Sequence, residues 1–388
     1  MSAAARIEEV LRRGSPSLDG VRGVAILLVL GHNLDVLDDV PGRVSHALGL
    51  AGDVGWIGVQ LFFVLSGLLI TAILLRTRES LSYVRSFFAR RVLRIFPLYY
   101  AVLVLAFVLL PLLARVSPAI DAMVPPALVR DAANQIWLWT YLGNWSSIWG
   151  AASDAFPHFW SLSVEEQFYL VWPFVVRRFH ARIVAVCVVL SIVAFASRLA
   201  LRLAHADPHG PYTFTICRMD ALGCGAALAA LLRRDAFVEA LRRRAAWIAA
   251  GAAALFVVGA GVSGLYARTG FADQTFGYSI LSVVFAAFVA LAVLGDADGR
   301  GALRRVLTSR VLRVYGKYSY GVYVFHSPLH LFVGLRALRA FVPDGHPRTL
   351  GVALAYMTAL ALASLMIAVV SYHAFESRFL RLKDRFAA

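Results

Sequence analysis

Charge is what this chain has least of. Only 16% of its 388 residues are charged, while 60% are hydrophobic. Soluble domains average about 25% charged and about 45–50% apolar. A soluble enzyme and a disordered chain are both excluded. Acid is scarcer than base: 23 Asp and Glu stand against 38 Lys and Arg, a net charge of +15. In a soluble protein the resulting pI, near 10.3, would direct attention to nucleic acid. Here the basic residues cluster between apolar stretches, so membrane topology accounts for them and no nucleic-acid partner is expected. Cysteine is also scarce. Cys187, Cys217 and Cys224 all lie in apolar segments, and the last two are two helical turns apart, too far to bridge. That excludes a disulfide scaffold, and no C-x-x-C spacing points to a metal.

What is there instead is long apolar runs, with a mean hydropathy of +0.71. A spanning helix needs about 20 mostly apolar residues. Ten segments qualify, at about 20–37, 56–75, 96–116, 158–176, 183–203, 213–232, 246–266, 275–294, 314–335 and 349–372. The expected fold is all-α, a polytopic transmembrane helix bundle. Arg12-Arg13 before the run Val24–Leu30, with Ser45-His46-Ala47 beyond, resembles a signal peptide and its cleavage site. Asp19, Arg22, His32 and Asn33 interrupt that stretch, so it reads as a retained first span. Residues 132–150 carry Trp137, Trp139, Tyr141, Trp145 and Trp149, a composition of the membrane interface, and read as an interfacial or re-entrant segment.

Charge orients the bundle. With ten spans, the side holding both termini receives 26 basic residues and the other side nine, among them Arg198 and Arg202. This bias places both termini in the cytoplasm. Residues 1–17 and the basic stretch 377–388 read as cytoplasmic tails flanking one membrane domain, residues 18–376.

An ionisable side chain inside a span costs about 2.5–3.5 kcal/mol and is a functional candidate by default. Four clusters stand out. Arg22 and His32 share the first span, about 15 Å apart along a helix. A histidine titrates near neutrality and suits a general base, whereas a His–Asn packing pair is the structural alternative. Arg90, Arg91 and Arg94 sit among aromatics at the cytoplasmic interface. Guanidinium groups grip phosphate in a planar fork, or anchor to anionic headgroups. Glu165 and Glu166 project about 100° apart from one helix, so both cannot face lipid cheaply. One faces a cavity or pairs with an arginine. Arg218 and Asp220 read as a structural pair with other helices. Lys317, Tyr318, Tyr320, Tyr323 and His326 form a weaker group, with His326 read as a packing residue.

Together these motifs resemble one family, the membrane acyltransferase-3 family of bacterial O-acyltransferases acting on surface glycans and some antibiotics. Leu18-Asp19-Gly20-Val21-Arg22-Gly23 with a downstream His resembles its opening. Gly58-Val59-Gln60-Leu61-Phe62-Phe63-Val64-Leu65-Ser66-Gly67 is similar to its second-span motif. Arg91 and Arg94 with Ile95-Phe96-Pro97-Leu98-Tyr99-Tyr100 resemble its cytoplasmic R-x-x-R motif. Phe159-Trp160-Ser161-Leu162-Ser163-Val164-Glu165-Glu166-Gln167-Phe168-Tyr169-Leu170 resembles its most recognisable stretch. Arg218-Met219-Asp220, Tyr318–Tyr323 and Phe375-Glu376 follow in the same order.

The resemblance implies an acyl group, acetyl by default, moved from cytoplasmic acyl-CoA to a hydroxyl on a carbohydrate or a small antibiotic-like acceptor. It implies a multi-pass protein of the bacterial plasma membrane. His32 and Glu165 are the implied catalytic residues. Arg22, Arg91 and Arg94 are implied on the donor side, and Trp160, Ser161, Glu166 and Tyr169 at the acceptor. A thioester is already activated, so no metal is called for. A base must still take the acceptor's proton. Direct transfer is preferred to an acyl-histidine relay.

Two departures matter. The family usually has ten residues between the arginine and the histidine, and this chain has nine. Ten helical steps leave His32 about 80° off the face of Arg22. Either a bulge restores the alignment or the two serve different sub-sites. Gln60 stands where many members carry an acid. The rival readings are a transporter or flippase of a lipid-linked saccharide, against which no inverted repeat is evident, and a non-catalytic membrane partner.

Overall fold

The computed structural model describes residues 1–38, 40–342 and 348–386. Positions 387 and 388 of the expected C-terminal tail lie outside the described residues. Among the described residues every regular element is helical. The helices that matter below are α1 (Ala3–Arg13), α2 (Pro16–Asn33), α3 (Ile57–Thr77), α4 (Tyr83–Val104), α5 (Trp160–Phe179), α6 (Ile183–Leu203) and α7 (Met219–Leu231). They are followed by α8 (Asp235–Arg243), α9 (Ala245–Val262), α10 (Tyr278–Asp298), α11 (Arg310–Lys317), α12 (Ser319–Leu329) and α13 (Leu350–Ser371).

Six helical stretches are long and apolar enough to cross a membrane: Arg43–Thr77, Tyr83–Val116, Pro157–Leu203, Ala245–Val262, Asp273–Asp298 and Leu350–Leu382. A seventh is reached if Thr215–Leu231 and Asp235–Arg243, bent by 105°, count as one span. All ten segments expected from sequence fall on helix. The segments at 158–176 and 183–203 merge into one stretch, parted only by a tight turn at His180–Arg182. The segments at 20–37 and 314–335 do not meet the measure alone, because charges interrupt the first and the α11–α12 break divides the second. Residues 132–150 form only short turns of helix, none of spanning length.

Contacts divide the chain into two compact units. The first comprises residues 1–29, 56–83 and 167–317. Its packing explains the glycines of the opening motif. A methyl group added at Gly20 or Gly23 would collide with the Leu307 or Leu312 carbonyl, and one at Gly316 with that of Asp19. Bare backbone therefore lets α2 lie directly on residues 307–316. The start of α2 is fixed by Asp296, which accepts from the Ser17 N–H at 2.9 Å, the Ser17 hydroxyl at 2.7 Å and the Ser15 hydroxyl at 2.5 Å. These bonds occupy N–H and hydroxyl donors at a helix start, where backbone partners run out. Helices α3 and α7 cross at Gly67 and Gly225, each against the other's backbone. Small residues serve close crossings in membranes in this way.

Amphipathic α1 is capped by Ser2, whose hydroxyl accepts from the Ala5 N–H at 3.2 Å. It docks on α8 through the Asp235 carboxylate, which accepts from the Ala4 N–H at 2.8 Å.

The polar heart of this unit is Arg198, wholly buried. It donates to Asp220 at 2.8 Å, to Ser279 at 2.7 Å, to the Gln274 carbonyl at 2.6 Å and to the Cys217 carbonyl. This corrects the charge count, which assigned Arg198 to the less basic side: it lies inside α6 and is paired with Asp220. Removing it from the poorer side widens the basic bias. Arg218 lies under aromatic rings, 4.3 Å from the Tyr278 centroid and 5.4 Å from that of Tyr212, and donates to Gln60. Gln60 passes the network on to Ser282 at 2.8 Å. An amide at position 60 can accept from Arg218 and donate to Ser282 at once, which a carboxylate cannot.

The second unit comprises residues 30–55, 84–166 and 318–388. Here the Tyr99 and Tyr100 hydroxyls of α4 donate to the carbonyls of Leu138 and Trp139 at 2.8 and 3.1 Å. Tyr141 stacks on Tyr99 with centroids 4.2 Å apart, and Tyr99 leans on Phe159 at 4.8 Å. The aromatic segment is thereby stapled to α4 at the point where α5 begins. Tyr141 holds a positive φ of 54°, a left-handed conformation uncommon for a bulky residue and maintained by its surroundings.

Candidate active site

Helix α2 runs from Pro16 to Asn33 without a bulge. The nine-residue spacing is therefore not corrected, and Arg22 and His32 point about 80° apart. They also fall in different units. Arg22 is ion-paired to Asp19, one turn earlier, at 2.8 Å.

His32 ends α2 in the second unit and is half-buried. Its Nδ1 lies 3.1 Å from the Gly52 carbonyl oxygen. A carbonyl only accepts, so Nδ1 carries the proton and Nε2 carries the lone pair of the neutral ring. Gly52 has a reason to be glycine, since a side chain there would strike the Asp35 carboxylate.

The neighbouring Asn33 donates from Nδ2 to His326 Nε2 at 3.0 Å. His326 Nδ1 lies 2.7 Å from the Tyr323 carbonyl and must donate to it. The two bonds agree on one tautomer, with Nδ1 protonated and Nε2 accepting. The ring of His326 lies 4.8 Å from that of His158. His158 is buried, and neither ring nitrogen finds a hydrogen-bond partner among the described residues. Its carbonyl accepts from the Tyr323 hydroxyl at 2.7 Å, and the Ser161 hydroxyl lies 2.5 Å from the same tyrosine oxygen. The start of α5 is thus tied to α12, with Trp160 and Ser161 buried beside the joint.

A second cluster in the same unit gathers the arginine motif. Arg91 lies within Coulombic reach of Glu166, and Arg94 within reach of Glu376. Glu376 also accepts from the Ser371 hydroxyl at 3.0 Å. The Tyr320 hydroxyl donates to the Ile95 carbonyl at 2.6 Å, tying α12 to the arginine-bearing turn of α4. One Oε of Glu166 is buried without a partner among the described residues. Glu165, half-buried, precedes it on α5.

Of the residues singled out in the sequence, His32, Arg91, Arg94, Trp160, Ser161, Glu165 and Glu166 therefore belong to the second unit. Arg22 and Tyr169 belong to the first. The Tyr169 hydroxyl is hydrogen-bonded to that of Ser66. His158 was missed by sequence reasoning. Its only signal is its place one residue before the Phe159–Leu170 stretch, since a lone histidine after a proline carries no spacing rule. Among the described residues no group of three or more His, Cys, Asp or Glu is arranged to hold a metal ion.

A family model for the acyltransferase domain of the acyltransferase-3 family matches residues 15–373. The chain belongs to that family. It is 27% identical over 351 residues to the O-acetyltransferase OatA of Staphylococcus aureus, covering 84% of this chain and 52% of the relative. It is 28% identical over 342 residues to the peptidoglycan O-acetyltransferase OatA of Listeria monocytogenes, covering 82% and 50%. It is 28% identical over 335 residues to the putative peptidoglycan O-acetyltransferase YrhL of Bacillus subtilis, covering 81% and 48%. The chain spans about half the length of the curated relatives it matches. No solved structure matches it.

Proposed function

We propose that this protein is a membrane-embedded O-acyltransferase that moves an acetyl group from acetyl-CoA to a hydroxyl of an envelope glycan, with His32 as general base. The observation that carries the reading is the bond from His32 Nδ1 to Gly52, which leaves Nε2 as the basic nitrogen at the end of a membrane helix. The family and the names of the peptidoglycan-modifying relatives support the reaction class and the acceptor class.

In the proposed step, Nε2 takes the proton of the acceptor hydroxyl as its oxygen attacks the thioester carbonyl. The C–O bond forms, the C–S bond breaks, and the imidazolium returns its proton to the departing thiolate. Arg91 and Arg94 bind the phosphates of coenzyme A from the cytoplasmic side. Arg22, paired with Asp19 and turned away from His32, serves a different sub-site from the base. Glu165 supports the catalytic centre. Glu166, Trp160 and Ser161 line the path of the acceptor, and His158 joins them through the His326–Asn33 link. The chain crosses the bacterial plasma membrane ten times with both termini in the cytoplasm, a topology supported by the basic bias.

Expression in a host whose peptidoglycan lacks O-acetyl groups tests the acceptor. Alkali-labile acetate on purified peptidoglycan is expected with the wild type and absent with an empty vector. Acetate confined to another polymer or to a small molecule would sink the peptidoglycan assignment.

A further inference from the structure

A cleft of about 420 Å³ in the first unit lies outside everything described above. Arg76, Arg78, Arg233, Arg234 and His180 line it, with Glu79 as its one carboxylate. Its volume falls in the range of ligand sites, about 300–1,000 Å³. Glu79 is engaged by Arg78 at 2.9 Å. Arg233 reaches out to Glu8 of α1 at 3.1 Å. The Arg76 and Arg234 side chains make no hydrogen bond or ion pair among the described residues.

The cleft forms where α3, α5 and α7 end. Arg76 lies in the last turn of α3, His180 follows α5 directly, and Arg233 and Arg234 follow α7. A helix C-terminus carries about half a negative charge. Part of this basicity therefore complements the three helix ends. Four guanidinium groups against Glu79, Glu8 and three helix ends of about half a charge each still leave the cleft net positive. Guanidinium groups recognise phosphate oxygens through paired donors. All three helix ends lie on the side that the basic bias assigns to the cytoplasm, where segments of membrane-spanning length end.

We propose that this cleft binds a phosphate ester, the headgroup of an anionic membrane lipid, since the donor phosphates fall to Arg91 and Arg94 in the proposed function. Scattered arginines of the positive-inside kind need only a flat rim. A concave cluster with two unengaged guanidinium groups is built to surround an anion.

The test uses the full chain in phosphatidylcholine nanodiscs. One arm titrates coenzyme A and its 3′-dephospho analogue by calorimetry. The other counts retained phosphatidylglycerol by native mass spectrometry against phosphatidylcholine. The variants are Arg76→Gln with Arg234→Gln, the same pair changed to Lys, and Arg300→Gln as an exposed basic control outside the cleft. The glutamine pair is expected to lose about fivefold per arginine, or about 25-fold together, in the lipid arm. The lysine pair should recover most of that loss, which a folding defect would not, and Arg300→Gln should match the wild type. A loss confined to the coenzyme A arm would place a donor phosphate here and overturn the lipid assignment. Equal binding by wild type and the glutamine pair in both arms overturns the proposal, as does an equal loss in the control. Arg91, Arg94 and His32 are untouched, so failure here leaves the acyl-transfer reading standing.

Discussion

At the level of single residues, the proposed chemistry depends on which ring nitrogen carries a proton. Gly52 fixes His32 with Nε2 basic, and Tyr323 together with Asn33 fixes His326 in the same tautomer. In the proposed mechanism Asn33 is a positioning residue, since it holds the end of α2 against His326. Replacing Asn33 with Ala is expected to lower kcat about tenfold, a loss of about 1.4 kcal/mol, while the pH–rate profile keeps its shape because the base is intact. A shifted profile would mean that Asn33 sets the basicity of His32 instead. Arg198 makes the opposite kind of prediction. Its charge is paired deep inside the first unit, so Arg198→Ala strands Asp220 and is expected to destabilise the fold by about 3–5 kcal/mol. Thermal unfolding in detergent would measure it, and an unchanged midpoint would contradict the buried pair. Sequence alone showed that Arg218, Asp220 and His32 were out of place in apolar segments. It could not show their partners, because Arg198 meets Asp220 across 22 positions and Asn33 meets His326 across 293. His158 stayed invisible for the same reason: its neighbours are close in space and far in sequence.

At the scale of elements, apolar runs were the most legible feature, since length and hydropathy suffice to locate a helix in a membrane. Helix breaks were less so. The turn at His180–Arg182 and the split between α11 and α12 depend on packing that no window average contains. The motif glycines gained their meaning only from what lies against them. Gly225 of α7 sits on the Val64 carbonyl of α3. Gly225→Leu is therefore expected to cost about 1–3 kcal/mol through overpacking, read as a lower melting temperature. The docking of α1 is pH-dependent. The Asp235 carboxylate is held below its usual range first by the Ala4 N–H it accepts, and Glu9 is held at about 2 chiefly by its hydrogen bond with Arg12. For carboxylates with depressed pKa, stabilisation is present above the unfolded value, about 4, and is lost as pH falls through the folded one. Hydrogen exchange across residues 3–13, corrected for its intrinsic pH dependence, should therefore rise below about pH 4. Asp235→Asn should raise it already at neutral pH. Protection as high at about pH 2 as at neutral pH would contradict the docking.

At the scale of the whole molecule, composition alone excluded the soluble classes, and the order of motifs pointed to the family. The unit to which each motif belongs was not legible, because both units are assembled from segments far apart in the chain. Ten spans with cytoplasmic termini predict opposite sidedness for two exposed positions. In a background without native cysteines, Ala152→Cys should react with an impermeant maleimide in intact cells. Arg300→Cys should react only after permeabilisation. Labelling of both from one side would remove the ten-span topology.

Acyl transfer through His32 is decided by comparing two sets of membranes. Membranes holding wild type or His32→Ala at matched expression would be given acetyl-CoA and envelope extract, and free coenzyme A would be followed. Loss of a general base costs about 10²–10⁴-fold, so the wild type should release coenzyme A and the variant should release it at least about a hundredfold more slowly. Equal release by both would show that His32 is not the base.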